Sequence, residues 1–221
     1  MMQQNDTAAN PWLTIPWEDY EGHMSSPAVK QLQFLSGLFR GGLRDYMPGS
    51  VAVLGCATGN GFEHIDPAIT QRVIGIDINL HYLKILRARF GATIPGLQLV
   101  CADLATCELE RESFDLVHCS LVLEYLEPSV VIERAAGWLR PPGILVVVLQ
   151  LPSAKSAKVS ETQYKSLKRL EPIMKLVEPE TVQRVAAEAG LSQVRAFKEM
   201  LESGKEFFVG HYLKRSPKSN G

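Results

Sequence analysis

From Val51 onward the chain alternates short runs of Val, Ile and Leu with longer amphipathic stretches, and this alternation restricts the fold more than any other feature. Runs that are apolar along their whole length suit strands buried on both faces, which a parallel sheet covered by helices provides. Residues 51–54, 72–76, 97–101, 114–119 and 144–149 read as five such strands. After Pro128, residues Val131, Ala135, Trp138 and Leu139 repeat at helical spacing until Pro141-Pro142-Gly143 closes the run as a turn. A further helix is expected over 179–189, terminated by Gly190. Residues 194–201 and 206–213 flank Ser203-Gly204 and read as an antiparallel hairpin at the end of the sheet.

The flanks are less regular. Ala28, Leu32, Leu35 and Phe39 share helical spacing, so 27–40 reads as an amphipathic helix lying on the domain, whereas 11–23 reads as irregular and aromatic. Residues 153–175 hold six basic and two acidic side chains, with Lys155, Lys158, Lys165, Lys168 and Arg169 at the centre. That stretch reads either as a solvated face or as a surface for an acidic substrate or carrier. With 221 residues, 46% of them apolar, one domain is expected over 1–221. Within it, 1–45 form an arm and helix able to act as a lid, and 46–151 form the core. Residues 152–178 form a segment on the substrate side, and 179–214 a closing helix and hairpin. The polar tail 216–221 is expected to be disordered.

The segment 51–65 passes from an apolar strand through Gly55, Gly59 and Gly61 into an expected helix. Glycines let such a turn take left-handed dihedrals and approach a ligand closely, and the turn lies beyond the carboxyl ends of the strands, where open α/β sheets bind ligands. Asp77 ends the second strand, eighteen residues after Gly59, where its carboxylate can accept both hydroxyls of a ribose or can cap the following helix. Asp103 follows the third strand, where it can accept from the exocyclic amine of adenine, with Leu104 offering backbone groups to the ring edge. A turn cap is the other reading of Asp103.

The ordered set VAVLGCATGNG, VIGIDIN, LVCADL, FDLVHCSLVLEYLE and LRPPGILVVV resembles class I S-adenosylmethionine-dependent methyltransferases over about residues 51–150. The resemblance implies a Rossmann-like three-layer α/β/α sandwich whose seven-stranded, mostly parallel sheet has an antiparallel last strand. It implies S-adenosylmethionine as cofactor, S-adenosylhomocysteine as product and a small-molecule acceptor. Gly55, Cys56, Ala57 and Gly59 would line its methionine and ribose portion, Asp77 with Ile78 the ribose, and Asp103 with Leu104 the adenine. Cys119 and Ser120 would close the floor, while Tyr20, His23 and Met24 of the arm would cover it. Two positions depart from the family pattern: Val53 stands where an acidic residue is usual, and Ala57 where a glycine is usual. Without the carboxylate, another acceptor must hold the cofactor's ammonium group.

Candidates for proton removal are His23, Glu124 and Tyr125, with Tyr20 and Tyr164 as further polar groups near the acceptor. Trp12, Trp17 and Tyr20 read as an aromatic lid or as ordinary packing of the arm. His118, inside an apolar strand, reads as a hydrogen-bonded core residue. No metal site is expected, because Cys56, Cys101, Cys107 and Cys119 lack paired spacing and read as buried free thiols. The net charge of −1 gives no whole-molecule attraction to nucleic acid or membrane. Cys119-Ser120-Leu121 lacks the Asn/Asp-Pro-Pro-aromatic signature of amide and base methylation. No apolar run reaches the ~20 residues that span a bilayer, and 1–10 lack a secretory layout, so the cytoplasm is the expected compartment. Two other readings stay open. A nicotinamide-dependent oxidoreductase shares strand, glycine turn and aspartate, but its G-x-G-x-x-G order differs from the G-x-x-x-G-x-G found here. A non-catalytic binding module of the same fold is made plausible by Val53.

Overall fold

Seven strands build one sheet: β1 (Ser50–Leu54), β2 (Arg72–Asp77), β3 (Leu97–Cys101), β4 (Phe114–Ser120), β5 (Leu139–Leu151), β6 (Leu191–Met200) and β7 (Glu206–Lys214). Their order is β3-β2-β1-β4-β5-β7-β6. The strands β1 to β5 run parallel, and β7 lies antiparallel between β5 and β6. The computed structural model describes residues 10–216, so the expectations for 1–9 and 217–221 lie outside the described residues.

Period-two alternation divides each strand between two cores. Ala52 and Leu54 join Ile74, Ile76, Val117, Val147 and Leu149 on one face, under helices α4 (Pro128–Trp138) and α5 (Pro179–Glu188). Val51 and Val53 join Val73, Leu116, Val146 and Val148 on the other, under α2 (Gln31–Tyr46) and α3 (Leu80–Phe90). The result is the expected three-layer α/β/α arrangement. Asn79 caps α3 by accepting from the backbone N–H groups of His81 and Tyr82, at 2.9 and 3.3 Å, worth about 1 kcal/mol at such a position.

Four local expectations are corrected. Residues 11–23 are not irregular: helix α1 (Trp17–Ser25) starts after Pro16, with Glu18 and Asp19 in its first turn, where the helix dipole favours acids. Helix α2 starts at Gln31 rather than 27, because Lys30 takes the left-handed conformation at φ 52°, and it runs on to Tyr46. Leu139 belongs to β5 and pairs with Phe114, since Pro141 disfavours helical geometry at the residue before it and Pro142 extends the run. The most consequential correction follows the glycine turn, where no α-helix forms; only a 3-10 turn appears at Phe62–His64. That space belongs to α2. A Cβ on Gly61 would lie 2.9 Å from Phe39 Cδ1, Asn60 Nδ2 donates to Leu32 O at 2.9 Å, and Ser36 Oγ donates to Glu63 Oε1 at 2.9 Å.

Three of the cysteines, Cys56, Cys107 and Cys119, are buried free thiols, but Cys101 is exposed. His118 is buried and its Nε2 shares a 2.7 Å hydrogen bond with Ser120 Oγ; burial lowers its pKa to about 3, with His211 adding to the shift. No helix among the described residues is long and apolar enough to cross a membrane, and none of their His, Cys, Asp and Glu side chains cluster as a metal site.

Candidate functional site

A cavity of about 390 Å³ opens beyond the carboxyl ends of the central strands, a size ordinary for small-molecule sites. Its floor begins at Gly55, whose φ of +63° is left-handed. A Cβ there would lie 2.5 Å from Val122 Cγ2, so glycine alone fits. Ala57 is also left-handed, at φ +45°, and Asp77 holds it: Oδ2 accepts the Ala57 N–H at 2.9 Å while Oδ1 accepts the Asn79 N–H at 2.8 Å. Burial raises the Asp77 pKa, while backbone hydrogen bonds from Asn79, Ala57 and Ile78 oppose the rise. Each carboxylate oxygen has a second lone pair, so Asp77 can still accept two donors from a ligand.

Asp103 lines the same cavity with Ala102 and Leu104. Its Oδ1 caps the local turn by accepting the Ala105 N–H at 2.8 Å. Oδ2 makes no hydrogen bond among the described residues. Asp77, Asp103 and the glycine turn therefore meet on one rim, with Ile78, Ser120 and Leu121 completing the wall.

The arm closes the cavity from above, where Trp12, Tyr20, His23 and Met24 line it. Trp12 meets Tyr20 and Tyr125 edge-on, with ring centroids 6.1 and 5.2 Å apart, and Tyr20 packs 5.7 Å from Tyr82. Trp17 takes no part in this cluster and instead lies 5.2 Å under the Arg89 guanidinium. Polar contacts fasten the arm. Asn79 Nδ2 donates to Trp12 O at 2.8 Å and Tyr82 Oη to Ile15 O at 3.0 Å. Glu21 accepts from Thr58 Oγ1 in the glycine turn and from Arg89 on α3. Partial burial pushes the Glu21 carboxyl up, but hydrogen bonds from Arg89 and Thr58 outweigh it and leave the pKa lowered.

His23 shares a 2.9 Å hydrogen bond with Thr162 through Nδ1; desolvation and the charge of Lys205 bring its pKa down to about 4, so it is neutral at pH 7. Tyr125 lines the cavity, with its pKa raised by burial and by Glu124. Glu124 lies behind that wall, only 1% exposed. Its Oε1 accepts the Gln150 N–H at 2.8 Å while Oε2 has no partner among the described residues, and burial raises its pKa to about 7. Cys56, Gly59 and Cys119 also lie behind the wall: Cys56 Sγ fills the space a side chain at Gly75 would need, and Gly59 packs on Leu86 and Phe90. Tyr164 packs against Gly22 and does not line the cavity. Val53, buried among α2-side apolar residues, pairs in register with His118.

Gln31, Gln150 and Lys205, which the sequence did not mark, also line the cavity, together with Lys158 of the basic stretch. Lys205 is 2% exposed. Its position in a polar hairpin turn gave no signal of burial, because the groups that surround its ammonium come from Gln150, Ala157 and Lys158.

Residues 52–147 match the model of a family described as a methyltransferase domain. No curated protein matches the chain. Among solved structures, the chain is similar to N-methyltransferase NodS from Bradyrhizobium japonicum WM9 in complex with S-adenosyl-L-homocysteine, at 18% identity over 90% of this chain and 98% of that one, with a TM-score of 0.65. An S-adenosylmethionine-dependent methyltransferase from Mesorhizobium loti shares 19% identity over 78% and 96% of the two chains, with a TM-score of 0.61. The cyclase SpnF shares 13% over 83% and 82%, with a TM-score of 0.65. At these identities the likeness is one of fold.

Proposed function

The chain carries a methyltransferase domain over residues 52–147, and on that premise we propose that it transfers a methyl group from S-adenosylmethionine to a small-molecule acceptor. The observation that carries this reading is the meeting of Gly55, Asp77, Asp103 and Leu104 in one cavity. The residues fit the cofactor. Gly55 provides a cradle that any Cβ would fill, Asp77 keeps acceptor capacity for two ribose hydroxyls, and Asp103 Oδ2 is free for the adenine amine. When bound, the sulfonium supplies an already activated methyl group.

The chain's own residues then have three tasks. Asp77, Asp103 and Leu104 hold the adenosine, while Ser120 and Gly55 set the depth of the reacting end. Trp12, Tyr20 and Tyr125 exclude water. Alignment of this kind can supply roughly 7 to 11 kcal/mol of barrier reduction. His23 is the group we assign to receive a proton: it is unprotonated at neutral pH, although a pKa of about 4 makes it a weak base. The enclosing arm supports a small acceptor.

SpnF, a cyclase of similar fold, illustrates that the architecture also hosts other chemistry. Ligand retention and turnover therefore need separate measurement. Mass spectrometry of the purified protein is expected to find an S-adenosyl ligand, and methyl-labelled S-adenosylmethionine to pass label to an acceptor in a cell extract freed of macromolecules. Retention without any labelled product would favour the non-catalytic module.

A further inference from the structure

The described cavity wall holds two carboxylates, Asp77 and Asp103, and two lysines, Lys158 and Lys205. The signs are segregated. Asp77 ends β2 and Asp103 follows β3, whereas Lys205 precedes β7, which lies four strand spacings from β2, or about 19 Å along the sheet. Lys158 donates to the carbonyls of Met174 and Glu171, at 3.0 and 3.4 Å, and is only half-buried. Lys205 is enclosed. Its Nζ donates to Gln150 Oε1 at 3.1 Å, Ala157 O at 3.0 Å and Lys158 O at 2.8 Å.

Three acceptors match the three N–H bonds of an ammonium, and all three are neutral. The hydrogen bonds are therefore satisfied while the charge is not, and an unpaired buried charge is costly. Desolvation brings the Lys205 pKa down to about 8, with no carboxylate among the described residues opposing it, and the same charge acts on His23. Gln31, buried beside them, donates one Nε2 hydrogen to Gln150 Oε1 at 3.3 Å and keeps its other amide groups for a ligand. A neutral donor would tie the 157–158 loop to β5 without this cost. An ammonium at a cavity wall gains from a ligand that brings the missing charge.

We propose that the charge of Lys205 draws in an anionic group of the acceptor, a carboxylate or phosphate of a small molecule that accepts from the remaining Nε2 hydrogen of Gln31 and lies beside His23. The assignment rests on the methyl-transfer reading and names the substrate class of that site. An anion there also offsets the field of Lys205 on His23, the smaller of the two causes that lower its pKa, while desolvation, the larger, remains.

The test is calorimetry on the protein saturated with S-adenosylhomocysteine, titrated with benzoate, phenyl phosphate and the uncharged benzamide. At least one anion is expected to bind about tenfold or more tightly than benzamide. Lys205→Gln should abolish that preference with its S-adenosylhomocysteine affinity unchanged, and Lys205→Arg should keep it. Equal binding of benzamide and the anions, binding of none of the three, or a preference that survives in Lys205→Gln overturns the proposal. So does weaker S-adenosylhomocysteine binding by Lys205→Gln alone, which would assign the lysine to the cofactor. If Lys205→Gln does not fold, Lys158→Gln takes its place: an anion preference that this variant keeps supports Lys205, and one that it abolishes overturns the proposal. Failure of the wild type to bind S-adenosylhomocysteine would sink the methyl-transfer reading itself, whereas cofactor binding without anion preference sinks only this inference.

Discussion

Asp77 Oδ2 accepts the backbone N–H of Ala57 at 2.9 Å, so the acid at the tip of the second strand holds the left-handed turn that follows the first. This couples turn geometry to any ligand that uses the same carboxylate. Asp77→Asn replaces one oxygen with an amide donor facing a backbone N–H, from either Ala57 or Asn79. Stability should fall by about 1–3 kcal/mol, and S-adenosylhomocysteine affinity at least about tenfold. Denaturant melts and calorimetry on the same variant read both effects; a loss of stability with full affinity would leave Asp77 a purely structural residue.

Gly55→Ala adds a Cβ 2.5 Å from Val122 Cγ2 at a φ of +63°. The overlap and the backbone strain should together cost about 1–3 kcal/mol, with weakened ligand binding. Adding Val122→Ala removes the overlap and leaves the strain, so the double variant should recover only part of the stability. Full recovery in thermal melts would mean that the left-handed backbone costs nothing.

The arm reaches the glycine turn through Glu21, which accepts from Thr58 and Arg89. These groups are partly exposed, so Glu21→Gln should change stability by less than about 1 kcal/mol. Hydrogen exchange in Trp17–Ser25 should quicken, because the helix loses its fastening to the core. Tyr20→Phe and His23→Ala test the arm's inner face. Cofactor affinity and turnover that both survive these changes would leave the arm without an active role.

Glu124 supplies a pH signature. Its pKa rises from 4.5 to about 7 on burial, so the folded chain binds this proton more tightly than the unfolded chain does. The group's contribution is fully present below pH 4.5 and is lost as pH rises to about 7, by at most about 3 kcal/mol. Glu124→Gln carries no such charge and keeps an acceptor for the Gln150 N–H. The variant should gain stability relative to wild type across that window and hold the gain above it, while the neutral histidines affect both proteins alike. A stability difference independent of pH would contradict the burial argument.

The parallel sheet was legible because its strands carry unbroken apolar runs, and the rim was legible because Gly55, Asp77 and Asp103 each stand where a run stops. Contacts made across the chain were not. A helix after the glycine turn is locally reasonable, yet Phe39 and Ser36 of α2 occupy its place. Helix α1 was hidden by its weak amphipathicity, and its register follows from Pro16 and from the pull of Thr58 and Arg89 on Glu21. Glu124 and Cys119 sit among apolar neighbours in sequence and fall behind the wall because that face of β4 and its following turn packs under α4. Lys205 carries no local mark at all; its burial depends on a loop nearly fifty residues earlier.

The central claim is that these strand tips hold an adenosine bearing a reactive sulfur. Calorimetry of the purified wild type with S-adenosylhomocysteine and with NAD, in parallel, tests it most directly. One equivalent of S-adenosylhomocysteine is expected to bind, with affinity lowered about tenfold in Asp103→Asn, and NAD is expected to give no heat. Selective NAD binding, or no binding of S-adenosylhomocysteine by the folded protein, would contradict the account.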